Sequence, residues 1–302
     1  MDIIEDIKKL KIGKVIASPQ MKDYTTYKVG GNAICIVEPN NTNDLVKLLN
    51  FIKTNKIDYK ILGNGSNLIF SSKGYNGILI KLKSFDKLEQ DGNKFIVGAG
   101  YSLIKFANTV SWLGYTGMEF ATGIPGSIGG AIYMNAGGYN TDMGYVVSEI
   151  KVLTNELDIK TLYNNQLDFH YRHSILQDKK YICLEATIVL KKGNIEVIKD
   201  LIEDRTKRRL MSQPLEYPSA GSVFRNPEGD YAGRLIESLG YKGKGIGGAK
   251  VSEKHANFII NYNNATGEEI KTLITNIKKD VLEKYKIDLK VEQDFVEYEE
   301  KK

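Results

Sequence analysis

The chain reads as an α+β protein. Apolar residues recur at helical spacing in some segments and as β-branched, strand-like runs in others, and the two kinds alternate along the sequence. Polar glycine-rich loops follow several of the apolar runs, and no internal repeat or low-complexity linker interrupts them.

The elements follow in order. Residues 44–55 set Leu45, Leu48, Leu49 and Ile52 on one helical face, with Thr42 or Asn43 as the cap. Strands are expected at 58–62, 78–82 and 95–99. Residues 102–113 form a second helix with Leu103, Phe106, Ala107 and Val110 on one side. Strands return at 149–154 and 181–190, where YICLEATIVL carries β-branched and aromatic residues. Gly193-Asn194 open a helix over 195–209 that holds Val197, Ile198, Leu201, Ile202 and Arg205 in register. Pro214, Pro218 and Pro227 make 211–230 irregular. A short helix at 231–239 stops at Gly240, residues 241–248 form a flexible loop, and HANFIIN at 255–261 reads as a strand. Thr266 and Glu269 form a capping box, opening a helix with Ile270, Leu273, Ile274, Ile277, Val281 and Leu282 as its core stripe.

At 302 residues the chain can bury a large core in two or three subdomains. The formal net charge of +5 comes mostly from scattered lysines, which gives no argument for a nucleic-acid partner, and none is expected; it is compatible with a small anionic substrate. The densest basic run, Arg205 to Arg209, ends a helical pattern, where it complements the helix dipole. Cys35 and Cys183 lie in apolar strand-like runs and read as buried, inert thiols. His170, His173 and His255 show no ligand spacing with cysteine, so no metal is expected. The N-terminal MDIIEDIKKLKIGKV alternates charged and apolar residues and fits neither a signal peptide nor a membrane helix. A cytoplasmic protein with no membrane partner is expected.

Two glycine-rich loops carry the strongest functional signal. Residues 121–138 read ATGIPGSIGGAIYMNAGG, without a charged side chain. Glycine loses much conformational entropy on folding, so such a run suits a backbone that lies close to something. Free N–H groups in the loop, with a helix start behind them, would cradle a phosphate. A tight turn between strands is the alternative. Residues 59–70, YKILGNGSNLIF, place Ser66 and Asn67 beside the Gly63-Asn64-Gly65 turn, and two such loops suggest one elongated ligand. Neither loop fits G-x-G-x-x-G or G-K-[ST], which disfavours Rossmann and P-loop sites.

Further along, Ser222 sits in YPSAGSVFRNP, outside any G-x-S-x-G context. Arg172 lies in FHYRHS, as a cation–π or surface arginine or as a fork-shaped donor to a carboxylate or phosphate. Glu292 in LKVEQDF alternates with Leu289 and Val291, which by itself reads as a solvated strand carboxylate.

Taken together, Gly63-Asn64-Gly65-Ser66-Asn67, residues 121–138, YRHS at 171–174, PSAGSVFRNP at 218–227 and GGAKVSEKHANFIIN at 247–261 resemble the UDP-N-acetylenolpyruvoylglucosamine reductase family, in its shorter form. The match runs in order over nearly the whole chain. It implies an FAD-binding fold of the vanillyl-alcohol oxidase type, with α+β subdomains at 1–84 and 85–204, followed by a smaller α+β substrate domain at 205–302. It implies an NADPH-dependent flavin oxidoreductase, a UDP-N-acetylmuramate dehydrogenase of peptidoglycan precursor synthesis. FAD would be held non-covalently by Gly63, Asn64, Gly65, Ser66 and Asn67 and by Gly123, Pro125, Gly126, Ser127, Ile128, Gly129 and Gly130.

In that family the enolpyruvyl ether of UDP-N-acetylglucosamine takes hydride from flavin N5, and the carbanion character left behind is best written as an enediolate. By matching position, Ser222 would donate the proton, while Arg172 and a neutral Glu292 would stabilise the intermediate. Arg225, Asn226 and His255 align with substrate-pocket segments. The resemblance further implies a monomer whose partners are the UDP-sugar and NADPH. The family's tail reads Glu-Val-x-x-hydrophobic-Gly, whereas Glu292 is followed by Gln293-Asp294-Phe295 and no glycine. The alternative is a flavin oxidase of the same fold acting on an alcohol or sugar, although no His-plus-Cys pair is placed for covalent flavin attachment.

Overall fold

The structure, a computed structural model, describes residues 2–300. The chain forms two units. The first comprises the chain up to Ile16, Ile36–Asn64 and Leu79–Arg208; the second comprises Ala17–Cys35, Gly65–Ile78 and the chain from Arg209 onward.

The first unit is built on a five-stranded antiparallel sheet. Its order is Ile159–Tyr163, Val147–Leu153, Ile182–Val189, Lys94–Gly98, Leu88–Asp91. The central strand, Ile182–Val189, is the β-branched run of the sequence, and its Ala186 lies opposite both Ile150 and Val97. The helix Leu103–Trp112 buries Leu103, Phe106, Ala107 and Val110, as its spacing predicts. Phe95 of the sheet meets Phe106 and Tyr115 edge to face, with centroids 5.9 and 5.0 Å apart. The helix Thr42–Thr54 buries Leu45, Leu48, Leu49 and Ile52. Its cap is neither Thr42 nor Asn43 but Asn41, whose extended backbone lets its side chain accept from the Asp44 amide at 3.0 Å. Another helix, Ile195–Ser212, is capped by the Asn194 side-chain oxygen and buries only Ile198; Val197, expected in the apolar register, is exposed. A four-stranded sheet has the order Gly13–Ala17, Ala33–Pro39, Tyr75–Ile80, Asp58–Ile61.

In the second unit, the helix Gly267–Tyr285 lays Ile270, Leu273, Ile274, Ile277 and Val281 into a core shared with Tyr27, Ile69, Phe224, Val251 and Ile259. Leu282, expected in this stripe, is exposed. At 3.6 residues per turn it falls roughly 120° around the helix from Ile270, off the buried face. The expected strand at 255–261 shortens to Ile259–Asn261, which pairs with Ala249–Val251. The residues before it form a turn, because the Phe258 amide bonds back to the His255 carbonyl at 3.0 Å. A short parallel pairing joins Asp294–Val296 to Leu68–Phe70.

Both cysteines are buried in strands, and burial pushes the Cys35 thiol up to about 11 and the Cys183 thiol up to about 12. Both therefore stay protonated and unreactive at neutral pH. Among the described residues no helix is long and apolar enough to cross a membrane.

The capping box forms as the sequence predicts. Thr266 Oγ1 accepts from the Glu269 amide at 3.1 Å, and Glu269 accepts from Thr266 at 3.0 Å and from Gly248 at 3.1 Å. Thr266→Ala is expected to cost about 1 kcal/mol of stability, read as a lower denaturant midpoint with unchanged slope. An unaltered midpoint would mean the cap is not stabilising this helix.

Candidate active site

The glycine-rich segment of the first unit folds into the turn Glu119–Ala121, a loop, and the short helix Ile128–Tyr133. Ser127 caps this helix and accepts from Gly130 at 3.3 Å. Free N–H groups of the loop were expected to cradle a phosphate, with the helix start behind them. In the helix start itself, the Ile128 amide bonds the Tyr101 carbonyl at 2.9 Å, and the Gly129 amide bonds the Ala99 carbonyl at 2.8 Å. These groups are used in docking the helix onto the preceding strand end. The two glycine-rich loops meet at Gly63 and Ser127. A Cβ on Gly63 would lie 2.9 Å from Ser127 Oγ, too close for an ordinary contact. A Cβ on Gly126 would meet nothing within 4 Å, so the main chain there is open to a ligand. Converging loops with an accessible backbone fit a dinucleotide cofactor. Within the second unit, Gly65 takes φ +63 against the Tyr24 carbonyl, and the Asn67 amide group donates to the Glu292 carbonyl at 3.0 Å.

Arg172 also lies in the first unit, against the same glycine-rich segment. It sits at the tip of a turn closed by the His173 amide on the His170 carbonyl at 3.0 Å, and its φ is +60. A non-glycine residue in this region is strained by about 1–3 kcal/mol, and such strain persists only where surroundings impose it. Here they do. Buried Asn135 donates to the His170 carbonyl at 3.0 Å and accepts from Gly144 at 2.9 Å. Gln177 donates to the carbonyls of Tyr133 at 2.7 Å and Arg172 at 3.1 Å, and Ser174 donates to that of Tyr133 at 2.9 Å. The guanidinium rests over the Tyr171 ring at 5.2 Å and donates to the Gly137 carbonyl at 3.3 Å.

Ser222 and Glu292 come together in the second unit. The Glu292 amide bonds the Val223 carbonyl at 2.8 Å, Phe224 and Val291 form an isolated antiparallel bridge, and the Arg225 amide bonds the Lys290 carbonyl at 2.9 Å. The two residues therefore flank one short main-chain pairing. Buried Asn257 fixes its other side: its amide oxygen accepts from the Phe224 N–H at 3.0 Å, its amide nitrogen donates to the Phe224 carbonyl at 2.8 Å, and its own carbonyl accepts from Val223 at 2.9 Å. Gly221, at φ +74, supplies the turn that presents Ser222.

The remaining candidates line the same unit. Arg225 Nε is buried and has no hydrogen-bond partner among the described residues. The Asn226 side-chain oxygen accepts from the Ala232 amide at 3.1 Å and so caps the helix Ala232–Ser238. His255 Nδ1 accepts from the Asn257 amide at 3.1 Å, and its ring leans on Phe258. Burial, and then the Lys242 charge, hold the His255 imidazole below its ordinary range.

A second cluster was not anticipated by looking for His–Cys spacings. Asp168, His170 and His173 bring potential ligand atoms within 4.8 Å of one another. His173 Nε2 lies 3.4 Å from Asp168 and 3.3 Å from Asp178, and the two imidazoles stack at 4.0 Å.

The chain is similar to known proteins over nearly its whole length. A family model described as "FAD binding domain" matches residues 33–161, and one described as "UDP-N-acetylenolpyruvoylglucosamine reductase, C-terminal domain" matches residues 213–296. A UDP-N-acetylenolpyruvoylglucosamine reductase of Caldanaerobacter subterraneus subsp. tengcongensis is 46% identical over 95% of both chains. The chain belongs to the UDP-N-acetylenolpyruvoylglucosamine reductase family. The Bacillus subtilis reductase is 40% identical over 97% of this chain and 98% of its own. The crystal structure of UDP-N-acetylenolpyruvylglucosamine reductase from Thermus caldophilus superposes with a TM-score of 0.81 at 30% identity, covering 93% of this chain and 98% of that one.

Within this family fold, Asn135, Asn257 and Gln293 are residues that motif reading passed over. Each is a buried amide that satisfies main-chain groups beside a candidate site residue. A polar amide inside an otherwise apolar or glycine-rich run is the signal that could have found Asn135 and Asn257, since burying one requires partners.

Two predictions follow from this geometry. Gly63→Ala is expected to spread the loops at Ser127 and weaken retention of FAD through gel filtration, and adding Ser127→Gly is expected to restore part of it. Full retention in the single variant would show that the contact is not limiting. The second concerns pH. Because the folded state holds His255 below 6.5, the unfolded chain binds more protons in the window under that value. The stability His255 contributes is complete above the unfolded pKa and is lost as pH falls through the folded one. The unfolding midpoint should drop from pH 7 to pH 5, and less steeply in His255→Asn, whose side-chain oxygen can still accept from Asn257. Equal slopes would remove His255 as the cause.

Proposed function

We propose that the chain catalyses the FAD-dependent reduction of UDP-N-acetyl-3-O-(1-carboxyvinyl)glucosamine to UDP-N-acetylmuramate with NADPH. The observation that carries this reading is that Ser222 and Glu292 converge on one short main-chain pairing, where the Glu292 amide bonds the carbonyl of Val223 next to Ser222, in a chain of this family. The relatives named above are reductases, and nothing in the fold favours the oxidase alternative.

FAD, when bound, supplies the hydride from N5 to the terminal vinyl carbon; the loops of Gly63 and Thr122–Ser127 are the parts of the chain that would hold it. The chain's own residues act on what remains. Negative charge develops on the carbon next to the carboxylate and spreads into it. Arg172, always cationic, neutralises that charge, and its fork matches a planar carboxylate. Glu292 contributes a hydrogen bond only as a neutral acid, since a carboxylate would repel the same charge. Ser222 gives its proton to the carbon beside the carboxylate, completing addition of H⁻ and H⁺ across the double bond. A hydroxyl is a weak acid in water, but it suffices for a strongly basic carbanion if held within hydrogen-bond reach. The buried, unpartnered Nε of Arg225 suits it to the diphosphate, and His255 and Asn226 belong to the substrate side by the same reading. We take the UDP-sugar and NADPH as the partners of a monomer that works in the cytoplasm.

Ser222→Ala is expected to bleach normally with NADPH under anaerobic conditions, while reoxidation by the enolpyruvyl substrate slows by about 10²–10⁴-fold. Unchanged turnover would take Ser222 out of the mechanism, and a protein that gains no flavin absorbance with added FAD would sink the whole reading.

A further inference from the structure

Gln293 immediately follows Glu292, and its side chain turns inward to a position 4% exposed. Its Nε2 approaches three successive carbonyls, those of Ala220 at 3.1 Å, Gly221 at 3.2 Å and Ser222 at 3.4 Å. Its Oε1 accepts from the Tyr27 hydroxyl at 3.1 Å. Tyr27 is fully buried in the same core, and its own carbonyl accepts from Asn261 at 3.0 Å. Along the chain, the Pro218 carbonyl accepts from Asn261 and the Val223 amide donates to Asn257. Gln293 spans the interval between these two anchors, which is the turn that presents Ser222.

We propose that Gln293, oriented by Tyr27, is a positioning residue that sets where the Ser222 hydroxyl stands for proton transfer. The proposal rests on the reductase reading above. Gln293 acts through the main chain of residues 220–222 and does not itself meet the substrate. An amide suits this work because it donates and accepts at once and carries no charge that would disturb an anionic intermediate beside it. Its two N–H groups serve three carbonyls, so the turn is held as a unit rather than at one atom. Gly221 offers no side chain to hold the turn by packing, which leaves the carbonyls as the handle.

The test uses the FAD-loaded full chain with Gln293→Met, which keeps length and volume, and Tyr27→Phe, which keeps the ring. Flavin reduction by NADPH should match the parent in both. Reoxidation by the enolpyruvyl substrate should fall by about 10²-fold in Gln293→Met, the scale of a small misplacement of a reacting group, and by less in Tyr27→Phe. The solvent deuterium isotope effect on reoxidation should rise in both, because protonation becomes more limiting. The double variant should be no slower than Gln293→Met, since both changes break one chain of hydrogen bonds. Parent-like reoxidation in a folded, flavin-loaded Gln293→Met overturns the proposal, as does an equal fall in both half-reactions with an unchanged isotope effect. If Gln293→Met does not fold, Tyr27→Phe decides by the same criteria. A parent protein that NADPH reduces but the enolpyruvyl substrate does not reoxidise would refute the reductase reading instead.

Discussion

Main-chain polar groups taken out of water must be paired, and in the segment 220–224 they are paired mostly by side-chain amides. This stretch has a single isolated bridge to Val291 rather than a strand partner. An unpaired buried N–H or C=O costs about 1–3 kcal/mol, so five such groups left open would rival the whole stability of a domain. Asn257 answers with both ends of its amide on Phe224, and Gln293 answers for the three carbonyls before it. A real strand partner would have served the same groups but would have covered the edge with another chain. Side-chain amides satisfy the backbone from within the core and leave Ser222 partly exposed at its edge. The position of Glu292 follows from the same arrangement, since its amide closes the pairing at Val223.

The first unit solves a related problem with the opposite emphasis. There the backbone of Arg172 is held in an unfavourable conformation, at φ +60. Hydrogen bonds from Asn135 and Gln177, together with the turn's own His173 amide, each contribute roughly 1 kcal/mol net, enough together to offset strain of about 1–3 kcal/mol. Because Asn135 belongs to the glycine-rich segment, the backbone position of Arg172 is coupled to the fold of that segment as well as to its own turn. Its contact with Tyr171 is compatible with either reading of this arginine, because stacking on a ring uses the face of a guanidinium rather than its N–H edge.

Elements with a strong period were legible in the sequence. The helices at Thr42–Thr54, Leu103–Trp112 and, Leu282 apart, Gly267–Tyr285 bury the residues their spacing names, and the capping box at Thr266 needed only four residues to be read. The errors have two causes, a partner far away in sequence or a local angle that composition does not show. HANFIIN has strand composition, but Asn257 spends its amide on Phe224, which bends His255–Phe258 into a turn. Leu282 is as apolar as its neighbours, yet the angle per residue takes it off the face. Motif reading located Ser222 and Arg172 because their neighbours are distinctive. It left Gln293 as a departure from a tail pattern, because what Gln293 does depends on Tyr27, which lies 266 residues earlier.

The glycine-rich segment shows how one composition can serve two purposes. A Cβ on Gly129 would sit 3.0 Å from Ala99 Cβ and 3.2 Å from its carbonyl oxygen, so this glycine permits close packing of the helix on the strand end. The helix-start amides are consumed by that same packing, and a phosphate cradle at this helix start is therefore not what the glycines provide. Gly126 differs. Nothing within 4 Å would oppose a side chain there, and its φ is not among the positive values. Neither packing nor backbone conformation requires glycine at this position. The remaining physical reason is the close approach of something outside the chain to the main chain, in the region matched by the FAD-binding domain model. The part of the segment with an uncrowded main chain is thus the loop ahead of Ser127, where it meets Gly63, and the helix behind it is a support.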